Sequence, residues 1–242
     1  IADRHLGVGC DQILLAEPSR EADADFHYRI FNADGSEVEA CGNGARCFAR
    51  FVLQKGLTEK TEIPVTAAAG RILLRLEANG MVRVDMGRPQ LEPSRIHFRA
   101  PRQQTRYPLR LAGETLTISA LSMGNPHAVL LVDDIDEAPV ETIGPLLESH
   151  PRFPQRVNVG FMEHRSRDRI ALRVYERGAG ETLACGTGAC AAVVSGIRQN
   201  SLDAEVTVEL KGGQLVISWA GEGEPVWMTG PAETVYEGDI SL

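Results

Sequence analysis

Apolar side chains recur at every second position in residues 27–31 and 168–175, where Ile170, Leu172 and Val174 carry the second stretch. Period two predicts a strand with one buried face. A different rhythm follows each of two Cys-Gly-x-Gly segments. After the first, Ala45, Phe48, Phe51 and Val52 keep helical spacing, and the pattern stops at Lys55-Gly56, a favourable helix end. After the second, residues 189–197 are apolar nearly all round, which predicts a helix buried inside its own half. Alternation then returns. Residues 71–76 and 81–86 flank Asn79-Gly80, a type I′ hairpin signal, and residues 205–210 and 214–219 flank Gly212-Gly213. Residues 128–132 add a short apolar strand, with a helix ending near residues 147–150. The pattern predicts an α+β chain dominated by strands.

The two Cys-Gly-x-Gly segments belong to a longer repeat. Cys41 and Cys185 lie 144 residues apart, and at that offset Arg29, Glu37, Ala40, Cys41, Gly42, Gly44 and Ala45 all recur. Downstream the offset slips to 143, where Gly70, Gly80 and Gly87 match Gly213, Gly223 and Gly230. Shared motif and shared punctuation predict two similar halves. The boundary falls near Gly87-Arg88-Pro89: residues 1–87 form the first half, with a strand over 231–242 returning to it, and residues 88–230 the second.

Composition narrows the chemistry. The 242 residues are 43% hydrophobic and 24% charged, as globular chains are. Twenty-five Lys and Arg against 33 Asp and Glu give a net charge of −8. An acidic chain with no basic run predicts no nucleic-acid partner. Its longest aliphatic runs are too short to cross a bilayer, so no membrane partner is predicted either. Five cysteines, an odd and low number, point to a reducing compartment, the cytoplasm.

Each repeated cysteine stands where an extended segment meets a helix. Free N–H groups and the helix dipole there favour an anion, either a thiolate or a bound carboxylate. One such site suggests a nucleophile. Two related sites suggest opposed acid and base on one carbon, which inversion of a stereocentre requires. Cys10, Cys47 and Cys190 lack the repeated setting and are read as packing residues. A zinc site is disfavoured, because C-x5-C and C-x4-C spacings leave the partners on different helical turns. A disulfide between Cys41 and Cys185 would be an oxidation artefact in the cytoplasm.

Residues 40–47 and 178–188 resemble the two cysteine turns of the diaminopimelate epimerase family, supported by residues 31–36, 123–127 and 156–160. The resemblance implies two strongly curved, mostly antiparallel sheets or barrels, each wrapped around its helix, with the active site in the cleft between them. It also implies interconversion of LL- and meso-diaminopimelate without pyridoxal phosphate or any other cofactor, and no metal. Cys41 and Cys185 are then the proton-transfer residues, and His127 and Glu176 help to set their protonation. Gln12, Asn32, Asn125 and Asn158 hydrogen-bond the substrate, and Glu176 and Arg177 address its distal zwitterion. Backbone N–H groups at Gly42, Asn43, Gly186 and Thr187 hold the reacting α-carboxylate. Tyr236 is a contact in a homodimer.

Two alternatives stay open. One is a proline or hydroxyproline racemase or epimerase of the same fold. Such enzymes usually carry a histidine where this chain has Asn43, and their substrate lacks the charged far end that suits Glu176-Arg177. The other is a thiol redox protein with a switchable Cys41–Cys185 disulfide. The repeat also predicts a missing N-terminal segment, since the counterpart of Asn125 would precede residue 1. That piece should hold a Gly-Asn turn, a buried strand and most of a helix.

Overall fold

The computed structural model describes residues 1–38, 41–68 and 70–240. The chain divides into two compact units, residues 1–85 with 229–242 and residues 86–228. The first contains β1 (Gln12–Pro18), β2 (Phe26–Asn32), β3 (Glu37–Val38), α1 (Gly42–Gln54), β4 (Glu62–Ala67), β5 (Gly70–Leu76) and β6 (Val82–Asp85). In the second follow α2 (Pro93–Ile96), β7 (Tyr107–Leu111), β8 (Glu114–Ser122), β9 (Pro126–Leu131), α3 (Val140–Glu148) and β10 (Asn158–Ser166). Next come β11 (Arg169–Glu176), β12 (Gly180–Thr182), α4 (Gly186–Arg198), β13 (Glu205–Leu210) and β14 (Gly213–Trp219). A last strand, β15 (Val226–Gly230), runs across the limit of the two units.

The repeat is structural as well as sequential. In the first unit β1 pairs antiparallel with β2, β2 parallel with β4, and β4 antiparallel with β5, while β3 hangs on β2. In the second, β10, β11, β13 and β14 pair in the same antiparallel, parallel, antiparallel series, with β12 on β11. The second unit extends further, through β9 parallel to β10 and then β8 and β7. The fifteen strands among the described residues thus form a mixed sheet, and its hydrogen bonds do not close it. The barrel alternative is therefore corrected: β1 and β7 each have one strand neighbour, so the ladder ends there.

In each unit the helix after the cysteine packs on the sheet, and in the second α3 packs on β10, β11 and β12 as well. Ala45, Phe48, Ala49 and Val52 of α1 are buried, as are the strand residues Tyr28, Ile30, Ile63, Val65 and Leu74. The Phe48 ring lies 4.9 Å from Tyr28 and 5.9 Å from Phe26, edge-on to the latter. Helix α1 is one-faced, with Phe51 half exposed, whereas α4 is buried at every position from Gly188 to Gly196. That difference is the one its apolar pattern predicts. Burying each large side chain contributes about 1.5–3 kcal/mol, so these helices are held by packing rather than propensity. A second cluster in the larger unit gathers Phe98, Tyr107, Phe153 and Phe161 near α3.

Two expectations fail locally. At the β5–β6 hairpin only Gly80 has positive φ, +81°, and its N–H donates to Glu77 O at 2.9 Å. The turn is thus a three-residue loop ending in a glycine bulge rather than type I′, which would require Asn79 at positive φ as well. Residues 231–240 form no strand, and 241–242 lie outside the described residues. Over residues 231–240 the expected strand is instead irregular chain tied to α1 by side chains. Arg46 Nε donates to Pro231 O at 3.1 Å, Thr234 Oγ1 to Gln54 Oε1 at 2.6 Å, and Lys55 pairs with Glu237 at 2.9 Å. Among the described residues no helix is long and apolar enough to cross a membrane.

Candidate active site

Cys41 is the N-cap of α1, with extended backbone (φ −143°, ψ 111°), and its Sγ accepts from Gly44 N at 3.4 Å. Tyr28, fully buried, donates its hydroxyl to Cys41 O at 3.2 Å, and the same carbonyl accepts from Ala45 N at 2.8 Å. The strand thereby fixes the first turn of the helix. Gly44 must be glycine: a Cβ there would stand 2.7 Å from the Tyr28 hydroxyl. Gly42 and Asn43 open the helix, and Asn43 Oδ1 is shielded from solvent without a hydrogen-bond partner. Gln12 and Asn32 face each other across β1 and β2, and Gln12 Nε2 donates to Asn32 Oδ1 at 3.2 Å.

The second turn repeats the arrangement under deeper cover. Cys185 is the N-cap of α4 (φ −127°, ψ 107°) and is buried, ahead of Gly186 and Thr187. Its Sγ lies 3.6 Å from Thr187 Oγ1. Thr187 Oγ1 accepts from Asn125 Nδ2 at 3.3 Å, and Asn125 Oδ1 lies 2.9 Å from His127 Nε2. A carbonyl oxygen only accepts, so His127 carries its proton on Nε2. Because the Thr187 oxygen already accepts from Asn125, its own proton is free to point at Cys185 sulfur. Loop and strand residues some 60 positions upstream thus steer a hydroxyl toward the thiol.

The remaining residues of this half lie close by in the sheet. Asn158 and His127 are register partners on β10 and β9. Buried Asn158 donates to Pro126 O at 3.0 Å and accepts from Arg177 N at 3.0 Å. Glu176 accepts from Thr182 Oγ1 at 2.5 Å, and the exposed Arg177 donates to Gln155 O at 3.2 Å. Burial pushes the Cys185 thiol up to about 12, and the Glu176 charge adds to this, while the Thr187 hydroxyl and Gly188 N–H pull the other way. Cys185 is therefore a neutral thiol in this state. Burial, helped by the Arg177 guanidinium, pulls His127 down to about 3, so its imidazole is neutral.

Gln12 and Asn32 thus stand paired on β1 and β2, Asn125 and His127 reach the Cys185 turn through Thr187, and Asn158 lies beside His127. Tyr236 stands apart, exposed on the irregular segment, beside a cavity of about 350 Å³ with Cys47, Phe51 and Lys55. Tyr28 and Thr182 were not singled out by sequence reasoning. A tyrosine in the buried phase of β2 needs a partner for its hydroxyl, and that signal was available for Tyr28. For Thr182 only its place in the second cysteine motif pointed the way. Among the described residues no cluster of three His, Cys, Asp or Glu side chains could hold a metal.

A family model for diaminopimelate epimerase matches residues 1–92 and 119–235. The chain belongs to the diaminopimelate epimerase family. Solved structures share its fold at low identity. A probable proline racemase from Agrobacterium radiobacter, with bound carbonate, is 17% identical at a TM-score of 0.68 over 96% of this chain and 76% of its own. A PhzF-family phenazine biosynthesis protein from Bacillus anthracis is 18% identical at 0.65, over 93% and 82%. A hydroxyproline epimerase from Agrobacterium vitis, with bound trans-4-hydroxy-L-proline, is 17% identical at 0.63, over 92% and 74%. The diaminopimelate epimerase family and these neighbours support an enzyme of the isomerase or epimerase type. They leave its substrate to be argued from the residues of this chain.

Proposed function

We propose that the protein inverts one α-carbon of diaminopimelate, LL to meso, by a two-thiol mechanism that needs no cofactor. The observation that carries this reading is the paired geometry: two cysteines, each the N-cap of a glycine-bearing helix that follows a short hairpin. Cys41 as thiolate takes the α-proton, leaving the electron pair delocalised into the α-carboxylate. Cys185, the neutral thiol, delivers its proton to the opposite face. The thiols exchange protonation states, and the reverse reaction exchanges their roles. Backbone N–H groups at Gly42, Asn43, Gly186 and Thr187 hold the α-carboxylate, where negative charge develops. The Thr187 hydroxyl and Gly188 N–H stabilise Cys185 once it becomes a thiolate.

Substrate choice rests on Asn43 in the first turn and on Glu176 with Arg177 beside the second. A negative and a positive group suit the distal ammonium and carboxylate of diaminopimelate. Gln12, Asn32, Asn125 and Asn158 supply the remaining hydrogen bonds. The same reading makes the protein a cytoplasmic enzyme of lysine and peptidoglycan precursor synthesis, acting as a homodimer with Tyr236 at the contact.

Mass-detected exchange in D2O tests it. The wild type should carry deuterium into the α-position of diaminopimelate but not of proline or hydroxyproline. Cys41→Ser and Cys185→Ser should each abolish epimerisation. Incorporation into proline alone would replace the substrate, and wild-type epimerisation by either variant would overturn the two-thiol mechanism.

A further inference from the structure

Arg29 and Glu37 recur as Arg173 and Glu181, yet proton transfer uses neither pair. Both form a two-pronged fork. Arg29 Nε and Nη2 donate to Glu37 Oε1 and Oε2 at 2.8 and 3.0 Å, and Arg173 does the same to Glu181 at 2.7 and 3.0 Å. The register is also shared. Glu37 faces Phe31 and Glu181 faces Tyr175, so each arginine reaches diagonally across its hairpin from two residues further back. In both halves the reactive cysteine follows the glutamate by four residues.

The strands that carry these glutamates are short. Among the described residues β3 pairs over two residues and β12 over three, few ladder bonds to hold a strand. A bidentate Arg–carboxylate pair adds two parallel, charge-assisted hydrogen bonds and a fixed orientation. The second fork is the more enclosed, its side chains 16% and 12% exposed. Lys211 Nζ joins Glu181 at 2.8 Å, and Arg173 Nη1 also donates to Ile135 O at 3.2 Å. Arg173, and then Lys211, hold the Glu181 carboxyl down at about 2, so it stays ionised at working pH. In the first fork Arg29 lies over the Phe31 ring at 4.8 Å, with Glu17 at 3.6 Å.

We propose that the two Arg–Glu forks are positioning pairs for the proton-transfer thiols. Each clamps the short strand that delivers its cysteine, keeping the N-terminal N–H groups of the following helix aimed at sulfur. The inference rests on the reading of Cys41 and Cys185 as the reacting groups, and its test needs no substrate.

Arg29→Lys and Arg173→Lys keep the charge and lose the fork. Site-resolved iodoacetamide labelling of the whole protein, followed by mass spectrometry across a pH series, reads each thiol separately. Losing well-aimed N–H groups and helix dipole should slow labelling at fixed pH about two- to fivefold. Arg173→Lys should slow Cys185 and spare Cys41, and Arg29→Lys should do the reverse. The double exchange Arg29→Glu with Glu37→Arg should restore Cys41. A merely structural fork would lower the melting temperature without moving either labelling midpoint. Unchanged or faster labelling of the thiol beside the altered fork, or equal slowing of both thiols, overturns the proposal. Failure of diaminopimelate to exchange in the wild type would overturn the function and leave this result standing.

Discussion

The smallest scale at which the site can be tested is the single hydroxyl beside Cys185. Thr187→Val keeps the shape and removes the O–H that faces sulfur at 3.6 Å. Hydrogen bonds to charged groups are among the stronger ones, so iodoacetamide labelling of Cys185 should slow about three- to tenfold. Thr187→Ser should recover most of it, and an unchanged rate in the valine variant would remove Thr187 from the account. His127 makes a different prediction, about stability. Its folded value, about 3, lies below the ordinary 6.5, so the folded state binds fewer protons between those limits. Its neutral form therefore supports the fold above about pH 6.5, and that support is lost as pH falls toward 3. Denaturant titrations of His127→Gln should show a flatter decline over that window than the wild type.

At the scale of an element, the glycines of the cysteine helices decide more than propensity does. Alanine inside a helix normally gains up to about 1 kcal/mol over glycine. At Gly188 an added Cβ would meet Val174 Cγ2 at 3.1 Å and the Cys185 sulfur at 3.2 Å. The neighbour that would have to give is a buried strand residue or the thiol itself. Gly188→Ala should therefore destabilise by roughly 1–3 kcal/mol. Urea unfolding measures this directly, and a stabilised variant would show that the turn relaxes freely. The helices and the hairpin positions were legible at this scale because periodicity and glycine punctuation are local. The turn type at Asn79-Gly80 was not, since the same residues also fit a three-residue loop in which only Gly80 takes positive φ.

For the whole molecule, the C-terminal segment is the clearest case of structure without a regular element. Removing residues 231–242 takes away the carbonyl that Arg46 reaches, the Thr234–Gln54 bond and the buried Ala232. The Lys55–Glu237 pair is exposed and contributes about 1 kcal/mol or less, so Glu237→Gln should leave the unfolding midpoint nearly unchanged. The truncation should lower it clearly, because Arg46 is largely buried and loses an acceptor. Equal midpoints for truncation and wild type would mean that the segment only lies on the surface.

The sequence by itself determined the duplication, the two cysteine turns and the central helix that follows each. Those signals depend on neighbours within a few positions, where spacing and glycine already dictate the backbone. Tertiary structure alone decided the parallel pairings of β2 with β4, β9 with β10 and β11 with β13, and left the sheet open. It also decided the alignment of His127, Asn125 and Thr187 on Cys185 and the diagonal reach of the two Arg–Glu forks. A parallel ladder, or a bond between residues 62 positions apart, has no local signature, because it forms only when packing has closed the intervening chain and excluded water.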